Sequence, residues 1–259
     1  DSHSAEDLGR VTKGAAKAFL GRVFLFRASP QFNPNNNNEH WQTAYNYNKE
    51  TLNYLIGQGH ALYDDYGKLF LDEMNKEVIF AIRYENPTRT QKRDATVRPI
   101  TFSMNNTGGN HPTQEVIDRF PTIDGGTYTY ADWEKEGKDI FALWENRDKR
   151  FYATIVQDSC EYYGELVTMH KTGNLQRCSL GEAPGTAEMG STNYLWRKGV
   201  YINDWRIFVD VPTDYHYVIF RYGRALLNKA EALLCLAKSD PSKLSEAVAT
   251  FNQTRTVHG

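Results

Sequence analysis

The sequence contains little of what marks several large classes of protein. Cysteine occurs only 3 times in 259 residues, as Cys160, Cys178 and Cys235, and this spacing matches neither a disulfide framework nor a zinc site. Cys160 and Cys178 could pair, although nothing in their spacing requires it. The mean hydropathy is −0.62, and no apolar run reaches the roughly 20 residues of a membrane-spanning helix. The formal net charge is −2, so the composition does not point to nucleic acid as a partner.

The short motifs of common catalytic sites are also missing. The sequence has no GxxxxGK[ST] phosphate loop, HExxH zinc helix, GxSxG nucleophile elbow or EF-hand loop. Its 7 histidines are scattered, and we expect no metal, no cofactor and no catalytic residue. A glycosidase needs two carboxylates that face each other across a substrate. Acids for such a pair are present but are more often solvated surface groups; they are Glu115, Asp118, Asp124, Asp132 and Glu134.

What the sequence does contain is helical periodicity at both ends. In the segment 218–259, apolar or small residues recur at 219, 222, 223, 226, 227, 230, 233, 234 and 237, the spacing of one helix face. Asn228 falls on the opposite, polar face. Asp240 suits an N-cap and Pro241 the first position of a second helix, along which Leu244, Ala247, Val248 and Phe251 repeat the spacing. The two helices predict an αα-hairpin, the unit of a helical repeat.

A similar pattern lies near the N-terminus. Lys17–Arg22 resembles Arg224–Lys229, and a second helix is expected over about Glu39–Ile56, with Trp41 on its packed face. The helix before it, ending near Arg27, is apolar almost all round, which predicts burial between neighbours. The sequence therefore predicts a helical hairpin at each end of the chain.

The middle of the chain is irregular. Glu77–Tyr84 and Tyr194–Ile202 have the composition of strands, and Asn146–Ile155 leads into a short strand-like run. An irregular stretch of this length is uncommon inside a domain and is usually functional. We therefore expect a mainly α fold in which helical hairpins carry a loop-rich insertion with a few short strands.

Six short segments follow one another along nearly the whole chain: Val11–Leu20, Glu77–Phe80, Pro112–Asp118, Asp148–Phe151, Arg221–Ala232 and Phe251–Arg255. In this order they resemble the SusD/RagB-like family of outer-membrane nutrient-binding lipoproteins. The resemblance implies a single domain over 1–259 with a tetratricopeptide-like scaffold at 1–76 and 216–259. It places an irregular ligand-binding subdomain at 77–215. The N-terminal helices and acylated cysteine of the family, and its segment beyond Asn252–Arg255, are not found here, so we expect both ends to be trimmed.

The resemblance also implies a function. It predicts a cell-surface protein, lipid-anchored in the outer membrane in its full-length form, that binds glycans or other nutrient oligomers without cleaving them. It predicts delivery of this cargo to a SusC-like TonB-dependent transporter. Two other functions stay open, a glycoside hydrolase that acts on surface-bound polysaccharide and a helical-repeat scaffold that binds peptides or proteins.

Aromatic residues indicate where a glycan would bind. They make up 13% of the chain, and several lie beside turn glycines and charged residues. Flat aromatic faces suit the C–H faces of sugars, and sugar hydroxyls need side chains that donate and accept hydrogen bonds. An alternative is that these rings only hold the loops to the scaffold. The predicted ligand-binding residues are Tyr128, Tyr130, Trp133 and Trp205 as stacking faces, with Asn105, Asn106 and Asp132 as polar groups.

Overall fold

The structure is a computed structural model, and it describes residues 3–91, 111–162, 164–169, 192, 194–200 and 214–259. The chain divides into two compact units. The first unit contains Asp1–Arg83 and His216–Gly259, and the second contains Tyr84–Tyr215. The strand that the sequence predicts at the start of the irregular insertion therefore lies in the first unit.

Helices dominate the described residues and confirm the expected mainly α fold. In chain order the helices are α1 (Lys13–Ala28), α2 (Asn38–Gly57), α3 (Gln114–Asp118), α4 (Tyr130–Glu136), α5 (Lys149–Thr154), α6 (Tyr222–Leu236) and α7 (Leu244–His258). The strands are β1 (Val78–Ile82), β2 (Ile155–Val156), β3 (Glu161–Tyr162), β4 (Glu165–Leu166), β5 (Leu195–Trp196) and β6 (Tyr217–Arg221).

The first unit is built from two helical hairpins, as the periodicity predicts. Helix α1 packs on α2, α2 on α6, and α6 on α7. Side chains close in sequence cap the first turns of these helices. At the start of α1, the Thr12 side chain accepts a hydrogen bond from the Ala15 amide. Asp240 likewise caps the 3₁₀ turn at Pro241–Lys243 that leads into α7. Trp41 is only 3% exposed, which confirms its predicted place in the core.

Polar side chains of α2 donate hydrogen bonds to the backbone of α1. The Asn48 amide Nδ2 donates to the Gly21 carbonyl at 3.0 Å and to the Ala44 carbonyl at 2.8 Å. One turn further on, the Thr51 hydroxyl donates to the Lys17 carbonyl at 3.1 Å. A Cβ atom on Gly21 would lie 2.5 Å from Asn48 Oδ1, so this close approach requires glycine.

Replacing Gly21 by alanine tests this contact. We expect Gly21→Ala to lower the free energy of unfolding by about 1–3 kcal/mol, because the added methyl group forces the Asn48 side chain aside. Gly57→Ala is the matched control, since a Cβ there meets no atom within 4 Å. Urea denaturation of both variants measures the difference. Equal stability of the two variants would show that the helices separate at no cost.

The outer faces of the helix row differ from the sequence-based expectation. Helix α1 is not buried all round, since Phe19 and Phe26 are each 54% exposed. On α7, Val248 and Phe251 are also exposed, whereas Ala247 is buried. Because α1 and α7 stand at the two ends of the row formed by the described helices, each buries one side. Asn228, predicted on the polar face of α6, is in fact buried.

The strands of the first unit converge on a buried carboxylate. Strands β1 and β6 pair antiparallel, with Ile82 opposite Tyr217. Glu77, just before β1, is 0% exposed. One of its oxygens accepts from Arg221 Nη1 at 2.6 Å and from the Gly223 amide at 3.3 Å.

The second Glu77 oxygen binds two further groups that are distant in sequence. It accepts from the Tyr63 amide at 2.7 Å and lies 3.1 Å from Nε2 of the buried His258. Burial alone would raise the pKa of Glu77. The hydrogen bonds from His258 and Tyr63 and the charge of Arg221 outweigh burial and hold that pKa below its usual value. Glu77 is therefore an ionised group enclosed by donors.

The lowered pKa of Glu77 makes its contribution to stability depend on pH. A carboxyl whose pKa is depressed by folding stabilises the protein above its unfolded pKa, and this contribution is lost as pH falls through the folded pKa. At pH 7 we expect Glu77→Gln to cost about 3 kcal/mol, because a buried charge pair loses one partner. The difference from wild type should shrink below the ordinary value of 4.5. Denaturant unfolding from pH 7 to pH 3 measures it, and a difference independent of pH would contradict the role of the charge.

The second unit contains short antiparallel strand pairs and small helices. Strand β2 pairs with β5, and β3 pairs with β4. The segment predicted to lead into a strand is mostly the helix α5, because the Asp148 side chain caps it by accepting from the Arg150 amide at 2.9 Å. Only Ile155–Val156 is extended. The predicted strand at Tyr194–Ile202 is limited to β5, and residues 201–213 lie outside the described ones.

A core cluster of the second unit forms beneath α3, α4 and α5. It contains buried residues from four separate segments, namely Ile117, Leu143, Trp144, Phe151, Ile155 and Tyr194. Phe120, Tyr128 and Trp133 pack against this cluster from its edge. Two of the predicted aromatic residues, Tyr128 and Trp133, are thus attached to a local core. Within the described part of the chain, no helix combines the length and the apolar character needed to cross a membrane.

Candidate functional site

The structure brings together four of the seven predicted ligand-binding residues at the start of α4: Tyr128, Tyr130, Asp132 and Trp133. The other three lie outside the described residues: Asn105, Asn106 and Trp205.

A capping box builds the helix that presents these residues. The Asp132 amide donates to the Thr129 hydroxyl oxygen at 3.3 Å, and Asp132 Oδ2 accepts in return from the Thr129 amide at 2.8 Å. The Thr129 hydroxyl also donates to Oδ2 at 2.7 Å. These hydrogen bonds lower the pKa of Asp132. Gly137, with φ at 61°, ends the helix in the left-handed conformation. Asp132 therefore has a role in starting α4 that the sequence analysis did not predict.

Tyr130 and Trp133 form an aromatic pair on α4. Their ring centroids are 5.1 Å apart with an interplanar angle of 49°. The Trp133 ring is half-buried, and its Nε1 donates to the Asp139 carbonyl at 3.0 Å. Tyr130 is 40% exposed, and its backbone amide donates to Asp118 Oδ1 at 3.1 Å. Trp133 is thus fixed by the core and a hydrogen bond, while the Tyr130 ring faces solvent beside it.

Tyr128 is held at both its hydroxyl and its ring. The hydroxyl donates to Glu136 Oε2 at 2.8 Å, and Lys138 Nζ lies 2.9 Å from the same oxygen. Burial of the ring, together with Glu136, raises the pKa of Tyr128. The Arg147 guanidinium lies 5.8 Å from the ring centroid. Tyr128 is therefore less available to stack on a ligand than Tyr130.

Arg147 supports this region from below and was not predicted from the sequence. It is 1% exposed, and its Nε donates to the Leu143 carbonyl and its Nη1 to the Phe120 carbonyl, both at 2.8 Å. Burial lowers its pKa. No spacing pattern marks an arginine of this kind, because its partners are backbone oxygens from separate segments.

Two of the acids considered for a glycosidase, Asp118 and Asp124, are engaged in local structure. Asp118 accepts from Gln114 Nε2 at 2.8 Å as well as from Tyr130, and Asp124 closes a turn by accepting from Gly126 and Thr122. The pKa of Asp124 is lowered chiefly by the Thr122 hydrogen bond. A glycosidase general acid instead requires a raised pKa. Among the residues that the structure describes, no three His, Cys, Asp or Glu side chains form a group able to hold a metal ion.

The capping box can be tested by removing its hydroxyl. We expect Thr129→Ala to lower stability by about 1 kcal/mol, because the first turn of α4 loses its N-cap. Thr127→Ala, at an exposed threonine two residues earlier, is the matched control. Denaturant unfolding compares the variants, and an equal effect of both would mean that the capping box does not hold α4.

Comparison with known proteins identifies the family. The model of the SusD family matches residues 76–256. A SusD-like protein from Bacteroides fragilis has a similar structure, with a TM-score of 0.69 and 24% identity, over 100% of this chain and 49% of that one. A SusD-like carbohydrate binding protein from the same species gives 0.69 and 19%, over 98% and 46% of the two chains.

A third similar structure contains a bound sugar. It is surface glycan-binding protein A from Bacteroides thetaiotaomicron in complex with laminarihexaose, with a TM-score of 0.55, 16% identity, and coverage of 99% of this chain and 49% of that one. No curated protein sequence matches. The chain spans about half the length of these solved relatives, and at these identities the likeness shows the fold alone. Because the family model covers well over half of the chain, the protein belongs to the SusD family, and the resemblance seen in the sequence is confirmed.

Proposed function

We propose that this chain binds glycans, or other nutrient oligomers, and holds them without cleavage for import. The observation that carries the proposal is the Tyr130–Trp133 pair on α4. The exposed Tyr130 ring, tilted by 49° to the fixed Trp133 ring, offers an apolar face. A fixed neighbouring ring limits rearrangement on binding, and preorganisation of this kind favours affinity. Carbohydrate rings present C–H faces that suit such a surface.

The relatives make glycans the first ligands to test. One solved relative is described as a laminarin-binding SusD-like protein, and another is in complex with laminarihexaose. Their ligands do not transfer at these identities, but they favour an oligosaccharide as cargo over a peptide. Laminarin therefore belongs in any panel of polysaccharides tried on this chain.

Binding without catalysis is supported by the use of the acids. Asp118, Asp124 and Asp132 accept hydrogen bonds in turns and caps, and the pKa values of Asp124 and Asp132 are lowered by these bonds. A hydrolase, the alternative function, would need one carboxyl protonated near neutral pH. Incubation with polysaccharides separates the two, because retarded migration without released sugar fits a binding protein and released sugar fits the hydrolase.

The family suggests a destination for the cargo. We propose that the full-length protein is held at the outer membrane by a lipid anchor, faces outward, and passes its ligand to a SusC-like TonB-dependent transporter. Co-purification of the full-length protein with such a transporter supports this part of the proposal. Surface labelling that finds the protein only inside the cell contradicts it.

Tyr130→Ala tests the stacking surface. We expect the affinity for the retained polysaccharide to fall about tenfold to a hundredfold, by analogy with bases stacked on aromatic rings, at roughly 1–3 kcal/mol each. Affinity electrophoresis measures the change. Tyr217→Ala is the matched control, because Tyr217 is a similarly exposed tyrosine, at 45%, in the first unit.

Trp133→Ala separates binding from packing. Because Trp133 also packs against the core cluster, its removal should lower both affinity and stability, whereas Tyr130→Ala should lower affinity alone. If Tyr130→Ala and Tyr217→Ala bind equally well, or if both changes on α4 affect only stability, these rings belong to the core and the proposed site is wrong.

A further inference from the structure

A concave surface lies in the first unit, whereas the aromatic residues of α4 belong to the second unit. It is a cleft of about 330 Å³ lined by His3 and by three longer stretches of the chain. These are residues 8–14 at the start of α1, residues 54–60 at the end of α2, and residues 74–80 leading into β1. Ligand pockets are usually about 300–1,000 Å³, so this cleft suits a small ligand, such as one sugar ring, rather than a length of polymer.

The side chains that line the cleft and can carry a charge near neutral pH are all basic. Its lining includes four basic side chains, those of His3, Arg10, His60 and Lys76, and no Asp or Glu within the described part of the chain. Its base is apolar and includes the buried Leu55. Clefts lined by one sign of charge concentrate counter-charged ligands. An apolar base with a cationic rim therefore suits a small ring that bears an anionic group.

The basic groups of the lining are held by contacts with neighbouring groups. His60 Nδ1 lies 3.0 Å from the Lys76 carbonyl, so Nδ1 carries the hydrogen and Nε2 is the nitrogen not engaged there. Lys76 Nζ contacts Asp64 at 3.0 Å, and Arg10 Nε contacts Asp7 at 3.0 Å. Neither acid lines the cleft. Both ion pairs are solvent-exposed, and exposed pairs contribute little stability. A ligand anion can therefore replace the aspartate of either pair.

We propose that this cleft binds the anionic group of an acidic sugar, either the carboxylate of a uronic acid or a sulfate ester. Arginine and lysine form charge-assisted hydrogen bonds with both groups. The choice of a sugar rests on the proposed function, whereas the preference for an anion rests on the lining of the cleft alone. The inference narrows the cargo from glycans in general to those that carry negative charge.

Calorimetric titration of the 259-residue chain with sodium glucuronate, glucose 6-sulfate and glucose tests the charge preference. We expect at least one of the two anions to bind about tenfold more tightly than glucose, as charge-assisted hydrogen bonds are stronger than neutral ones. The stronger of the two identifies the anionic group. Binding should weaken as the salt concentration is raised from about 50 to about 500 mM, because the Debye length shortens and the attraction between charges is screened. Equal binding of all three sugars, or no binding of either anion, overturns the proposal.

Paired variants locate the site. The double variant Arg10→Gln with Lys76→Gln should reduce anion binding about tenfold. The control is Arg27→Gln with Lys149→Gln, which removes the same two residue types at exposed positions outside the cleft. If the control loses as much affinity as the cleft variant, the effect is general charge and the site is wrong.

The two proposed sites fail in different ways. Polysaccharide retention that depends on Tyr130, without any binding of the anions, overturns the cleft and leaves the proposed function standing. Anion binding that depends on Arg10 and Lys76, with no retention of any polysaccharide, supports the cleft and overturns the proposed function.

Discussion

The first unit depends on one buried charge. An ionised carboxylate with no solvent exposure loses its hydration, and only several well-placed donors can offset that loss. Glu77 obtains them from the loop after α2, from the junction of β6 and α6, and from the end of α7. A Cβ on Gly223 would lie 2.7 Å from Glu77 Oε1, so the backbone itself must approach the charge. The two hairpins are distant in sequence, and this cluster joins them.

Local sequence predicts the helices because their starts and periods are local. Asp240 caps as expected, Thr12 caps α1, and the spacing along α6 identifies a helix. Periodicity does not report how many neighbours a helix has, and for that reason Phe19 and Phe26 are exposed where burial was expected. At α5 an apolar, β-branched ending suggested a strand, but the cap formed by Asp148 decided the conformation of the residues before it.

The candidate site divides in the same way between local and distant contacts. Tyr128, Tyr130 and Trp133 are close in sequence, so a single turn and one short helix suffice to bring them together. The roles of Arg147 and Glu77 come from backbone groups of separate segments, which no spacing of side chains reveals. Asp132 shows the reverse case, because its place three residues after Thr129 was readable from the sequence as a capping box.

A shared fold does not by itself carry a function, and the chemistry has to come from the exposed groups. In the second unit, Asp124 and Asp132 accept hydrogen bonds that hold local structure, and these bonds lower their pKa values. The exposed ring of Tyr130 lies on α4 beside Trp133. In the first unit, the cleft is lined by basic side chains and an apolar base. Stacking tolerates salt, whereas attraction between exposed charges is screened within about 10 Å at 0.1 M. The two proposed sites therefore rely on different parts of a sugar, its C–H face and its charge.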